Sequence, residues 1–137
     1  MGTRRRSREL VLQMLFQADM GRQTPEQVRK TFWIEHNSTA PEVRGFAEDL
    51  FRVATLNQEK IDGLIAANSR HWRLERMPAV DRNLLRMAIG EMLGFKSTPY
   101  PIVINEALEI GRRYSAPESL NFLNGVLDAI ARSLLEK

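Results

Sequence analysis

The sequence predicts an all-α protein, a bundle of six or seven helices. Three observations carry that prediction. Apolar residues recur at three- and four-residue spacing along almost the whole chain. Helix-start signals stand ahead of three of these stripes. No stretch alternates apolar and polar in the two-residue rhythm of a strand, and the one Asn-Gly pair, Asn124 and Gly125, falls inside a helical stripe.

The first helix carries Leu10, Val11, Met14, Leu15 and Ala18 on one face, with Gly21 as its stop. Thr24, Pro25 and Gln27 form a capping box that opens a second helix through Val28 and Phe32. The loop from 36 to 42 pairs Thr39 with Glu42 at the same spacing and predicts a cap for the third helix. That helix has the cleanest stripe in the chain: Val43, Phe46, Ala47, Leu50, Phe51 and Ala54. A break near Asn57 leads to a shorter segment with Ile61, Leu64 and Ile65. Residues 69–78, SRHWRLERMP, read as basic and irregular. Val80, Leu84, Leu85, Ala88, Ile89 and Met92 mark a fifth helix, which GEMLGFK, residues 90–96, ends. After the prolyl loop KSTPYP, residues 102–113 read as helix, although PIVI alone also suits a short strand. Ser115 and Glu118 form a third capping-box pattern, ahead of a last helix with Leu120, Leu123, Leu127, Ile130 and Leu134 on one face.

A chain of 137 residues, 43% hydrophobic, suffices for one domain with a proper core, taken here as 1–137. It contains no cysteine, which excludes disulfides and thiolate metal sites and fits a reducing, cytoplasmic setting. No run reaches the roughly 18 apolar residues of a membrane span. No Walker-type or dinucleotide-binding glycine motif and no nucleophile elbow is present. His36 and His71 are the only histidines, too few for a zinc site without carboxylates at unhelpful spacings. The sequence therefore points away from an enzyme and implies neither cofactor nor metal.

Charge is unevenly placed. Residues 1–8 hold Arg4, Arg5, Arg6 and Arg8 and no acid, while the rest of the chain carries 16 basic and 17 acidic side chains. Gln13 and Gln17 interrupt the apolar run behind these arginines, and Glu9 and Asp19 are unsuited to a presequence, so the segment does not read as a targeting signal. Cations at a helix start oppose the helix dipole. Planar, permanently charged guanidinium groups are what phosphate recognition uses. If all four met phosphates on a single strand, the log–log salt slope would be about −3. The arginines therefore point to nucleic acid rather than to a solvated tail.

Two aromatics are not required by the core stripes. Phe16 points away from the stripe of the first helix, so either another helix covers it or it is exposed for docking. Phe122 lies off the stripe of the last helix, one turn after Glu118, either as core edge or as a stacking platform. Trp72, among Arg70, Arg73 and Arg76, either serves single-strand binding or plugs the core with solvated arginines around it, and the plug is the favoured reading. Asn105 and Glu106 read as buried or half-buried polar anchors, and Gly125 as a point of close helix approach.

Four motifs, R-R-R-S-R-E-L-V-L-Q-M-L-F, W-R-L-E-R-M-P-A-V-D-R-N-L-L-R-M-A-I-G-E-M, P-Y-P-I-V-I-N-E-A-L-E-I-G and F-L-N-G-V-L-D, resemble in order and spacing those of the NusB family of bacterial transcription antitermination factors. The resemblance runs from Arg4 to about Ile130. It implies two packed helical subbundles and a non-enzymatic protein that pairs with the ribosomal protein NusE. It implies reading of single-stranded boxA RNA in ribosomal RNA transcripts and support of RNA polymerase against termination, with other Nus factors. By the same resemblance Arg4, Arg5, Arg6, Arg8, Glu118 and Phe122 fall on RNA-binding positions. Phe16, Asp81, Arg82 and Arg86 fall on the NusE-facing surface. Phe16 stands where the family often has Tyr, and Asn68 where it can have Tyr, so a phenolic hydrogen bond and a base stack are not implied there. The family contains monomers and homodimers, so a homodimer stays open; one built on the arginine face would compete with RNA. A related helical domain precedes the catalytic domain of certain ribosomal RNA cytosine methyltransferases; on that alternative this chain, with no cofactor-binding domain up to Lys137, would be an RNA-binding fragment.

Overall fold

The apolar stripes wind into helices that share one core. The computed structural model describes residues 2–70 and 72–136, and among these it contains seven α-helices, one 3₁₀ turn and no strand. They are α1 (Thr3–Met20), α2 (Pro25–Glu35), α3 (Pro41–Leu56), α4 (Gln58–Asn68), the 3₁₀ turn Leu74–Arg76, α5 (Ala79–Gly94), α6 (Tyr100–Tyr114) and α7 (Ser119–Leu135). The helices α1, α2 and α3 form one subbundle, and α4, α6 and α7 the other. Helix α5 packs against both and joins their cores. Leu10, Met14, Leu50, Phe51, Leu84, Leu85, Ile89, Met92 and Ile110 are fully buried there.

The first capping box forms as the sequence predicts. The Gln27 amide donates to Thr24 Oγ1 (3.2 Å) and the Thr24 amide to Gln27 Oε1 (2.9 Å). The other two do not form. Pro41 takes the first helical position of α3, which makes Ala40 the N-cap and puts Glu42 one residue out of register; Thr39 Oγ1 instead donates back to the His36 carbonyl (2.8 Å). Ser115 belongs to the helix before it: its amide donates to Gly111 O (2.7 Å) and terminates α6, so α7 begins only at Ser119. The segment PIVI is helical, because Pro101 lies in the first turn, where a missing N–H costs nothing, and Val103 reaches the core.

Helix α1 runs antiparallel to α5. Arg8 near its start meets Glu91 near the end of α5, and Asp19 near its end meets Arg82 and Asn83 at the start of α5. Asn57 breaks α3 from α4, its side-chain amide donating to Val53 O (2.8 Å). Close helix approach falls on Gly90, where a Cβ would stand 3.0 Å from Ala54 Cβ, and not on Gly125, which has open space around it. Gly125→Ala therefore gains helix propensity without a clash. It is expected to raise stability by about 1 kcal/mol in urea denaturation.

Candidate nucleic-acid interface

Helix formation from Thr3 fixes the direction of each N-terminal arginine. Arg4 is exposed, its guanidinium carbon 3.8 Å from the centroid of the Phe46 ring on α3. Arg6 is exposed and lies 3.4 Å from Glu9 Oε1. Arg5 is half-buried and donates through Nε and Nη2 to both oxygens of Glu106 on α6, at 2.9 and 2.7 Å. Arg8 points inward and is only 5% exposed. Its Nε and Nη2 donate to the two oxygens of fully buried Glu91, both at 2.7 Å, and its Nη1 reaches Glu106 at 3.4 Å. The sequence sets all four arginines against an anionic ligand; in the structure Arg8 is paired inside the fold with Glu91 and Glu106. Glu106 is the half-buried anchor the sequence suggests, whereas Asn105 is exposed.

These pairs set a pH dependence. The Arg5 hydrogen bonds hold the Glu106 carboxyl below the usual glutamate range, against the opposing effect of burial. Burial pushes the Asp19 carboxyl up, but hydrogen bonds from Arg82 and Asn83, with the charges of Arg82 and Arg86, leave it below the usual aspartate range. A carboxylate whose pKa is lowered by folding contributes stability above its unfolded pKa and loses it as pH falls through the folded value. The melting temperature is expected to fall as pH drops below about 4.5, the ordinary glutamate value. Glu106→Gln should flatten that fall in a pH series of thermal melts.

A second basic region lies at the other end of α1's partner helix. The segment between α4 and α5 holds Arg70, Arg73 and Arg76, all exposed and, among the described residues, without a carboxylate partner. Trp72 is not the core plug its neighbourhood suggests. It is 37% exposed, its Nε1 donates to the Arg76 carbonyl (3.1 Å), and its ring sits 5.5 Å from that of Phe122 at 51°. Together with the arginines it lines an open concavity of about 480 Å³. Phe122 is half-buried, with its inner side on the core and its ring against Trp72; Glu118, at the N-cap of α7, is exposed. His71 in this segment lies outside the described residues. Sequence reasoning named these arginines but assigned Trp72 to the core. Nothing local distinguished the two, since the platform exists only once α7 brings Phe122 alongside.

An apolar groove lies where α1 meets the start of α5 and the end of α6. Phe16 is 38% exposed and lines it with Leu12, Gln13, Val80 and Tyr114, which settles the open question about Phe16 in favour of exposure. The other residues assigned to the partner face are less accessible. Asp81, in the first turn of α5, is 1% exposed and neither carboxylate oxygen has a protein partner among the described residues. Arg82 Nε and Nη2 donate to Asp19 at 2.6 and 3.1 Å. Arg86 donates through Nε and Nη2 to Asp62 (2.9 and 3.0 Å) and through Nη1 to Asp19 (3.1 Å). Both arginines therefore tie helices together, and Asp81 is buried beside Arg82 in sequence.

The scaffold is all-helical and presents exposed arginines, an aromatic pair and an apolar groove at its surface. Residues 5–132 match the model of the NusB family. The transcription antitermination protein NusB of Koribacter versatilis is 61% identical over 133 residues, covering 97% of this chain and 91% of that protein. A solved structure of T. maritima NusB superposes with a TM-score of 0.83 at 36% identity, covering 94% of this chain and 90% of that one. A structure of antitermination factors NusB and NusE in complex with dsRNA superposes with a TM-score of 0.86 at 26% identity, covering 97% and 98%. The chain belongs to the NusB family of transcription antitermination factors.

Proposed function

We propose that this protein binds single-stranded boxA RNA of ribosomal RNA transcripts together with NusE, and so helps RNA polymerase resist termination in the cytoplasm, without catalysing a reaction. The observation that carries the RNA reading is the exposed Trp72, set against half-buried Phe122 and framed by three arginines that lack carboxylate partners among the described residues. Aromatic platforms beside free guanidinium groups suit unpaired bases, whose faces are open for stacking. Arg4 and Arg6 extend the positive surface from the start of α1, and Glu118, exposed at the N-cap of α7, precedes Phe122 by about one helical turn. The groove around Phe16 supplies the apolar surface for NusE, and Asp81 lies buried in the first turn of α5, next in sequence to Val80, which lines the groove. Arg82 and Arg86 hold that surface in place through Asp19 and Asp62.

The similar complex contains dsRNA, so a duplex is the second reading. Fluorescence anisotropy separates them, using a boxA-like single strand, a scrambled strand of equal length and a duplex, each with and without NusE. The expected result is tightest binding to the boxA-like strand, increased by NusE. Equal binding to both strands with no effect of NusE would overturn the proposal, and preference for the duplex would replace it with the second reading.

A further inference from the structure

The inner part of the N-terminal arginine cluster, Arg5 and Arg8, is paired with carboxylates before any ligand arrives. Arg8 is bound by Glu91 and Glu106, Arg5 by Glu106, and Glu9 is bound by Arg113 Nη1 (2.6 Å) as well as by Arg6. These pairs differ in depth. Arg8–Glu91 is an interior pair, with side-chain exposures of 7% and 0%, whereas Arg5–Glu106 lies at the solvent boundary, with exposures of 28% and 19%. It forms one wall of an open concavity completed by Gly2, Arg4, Arg8 and Ile102. The two oxygens of Glu106 occupy the fork of Arg5 as two phosphate oxygens would, because carboxylate and phosphate share that bidentate geometry.

We infer that Glu106 is an internal competitor for RNA phosphate: it holds the Arg5 guanidinium in the free protein and must yield it when RNA binds, so that Glu106 sets the RNA affinity of the arginine segment. The inference rests on the RNA-binding reading above. The exchange is feasible because withdrawing Glu106 leaves Arg8 with both of its bonds to Glu91. The wider fold of α1 therefore stays in place. Arg4 and Arg6, exposed on either side of Arg5 in sequence, add positive charge for the same strand.

The test is RNA anisotropy at fixed salt with the full chain. Glu106→Gln is expected to tighten binding about two- to fivefold, the range set by partly exposed ion pairs. The salt slope should not change, because Arg5 meets phosphate in both proteins. Glu106→Asp keeps the charge but draws it back by one methylene, and is expected to shift affinity in the same direction. In an Arg5→Ala background Glu106→Gln should have no effect. Weaker or unchanged binding by folded Glu106→Gln would overturn the inference. So would tightening that persists without Arg5, since that would be a general effect of removing negative charge. A wild-type protein that binds no RNA would overturn both this inference and the reading beneath it, whereas wild-type binding with an unresponsive Glu106→Gln overturns this inference alone.

Discussion

Arg8→Ala is expected to destabilise the protein by about 3–5 kcal/mol, measured by urea or guanidinium denaturation. The cause is the carboxylate left behind. Glu91 is fully buried, and Arg8 supplies both of the hydrogen bonds that compensate its charge. Without the guanidinium, Glu91 must remain charged in an apolar interior or take up a proton, and either route costs several kcal/mol. The second oxygen pair of the network, on Glu106, keeps Arg5 and does not reach Glu91. Arg8→Met combined with Glu91→Leu should recover much of the loss, because a buried ion pair replaced as a pair by apolar side chains is often close to neutral. If Arg8→Ala left stability unchanged and reduced only RNA affinity, the interior assignment of Arg8 would be wrong. Arg4→Ala is the useful contrast: its side chain covers the Phe46 face but leaves no buried charge exposed to a low dielectric.

Trp72→Ala is expected to weaken single-strand RNA binding by about 5- to 150-fold, corresponding to roughly 1–3 kcal/mol for one aromatic–base stack. Its stability cost should be small by comparison, because the indole is well exposed and gives up a single hydrogen bond to the Arg76 carbonyl. Trp72→Phe retains a π face and should recover most of the affinity. Phe122→Ala should lose affinity too, but with a larger stability penalty, since the inner side of that ring packs on the core. Replacing Arg70, Arg73 and Arg76 with alanine should weaken binding to all single strands alike and reduce the salt slope by about 0.7 for each phosphate that is no longer neutralised. Affinity insensitive to Trp72→Ala, with an intact fold, would move the RNA path away from this end of the molecule.

The two residues also measure how far the site was legible. Arg8 and Arg5 belong to the same short run, and nothing in the run distinguishes a buried guanidinium from a half-buried one. Trp72 among arginines has the composition of a solvated platform and of a core plug alike. Phe16 and Phe122 were legible as aromatics outside the stripes, because the position of a residue around a helix follows from its number. The structure then exposes Phe16 and leaves Phe122 on the core's edge. The capping patterns divide in the same way. Thr24 has Pro25 directly behind it and forms its box, whereas at Thr39 and Ser115 a neighbouring proline or the end of the previous helix takes the register.

By itself the sequence determined the helical class, the core stripes, the break at Asn57 and the four ordered motifs that resemble the NusB family. All of these depend on residues a few positions apart, where backbone geometry makes i, i+3 and i+4 neighbours without any knowledge of the rest of the chain. Only the tertiary structure decided which arginines are open to a ligand. The counter-charges of Arg8 lie 83 and 98 residues away, on α5 and α6. The aromatic that completes the Trp72 platform arrives on α7. The electrostatic state of a side chain depends on what packing brings within a few ångströms of it, and pairings at that sequence separation are set by the assembly of the helices.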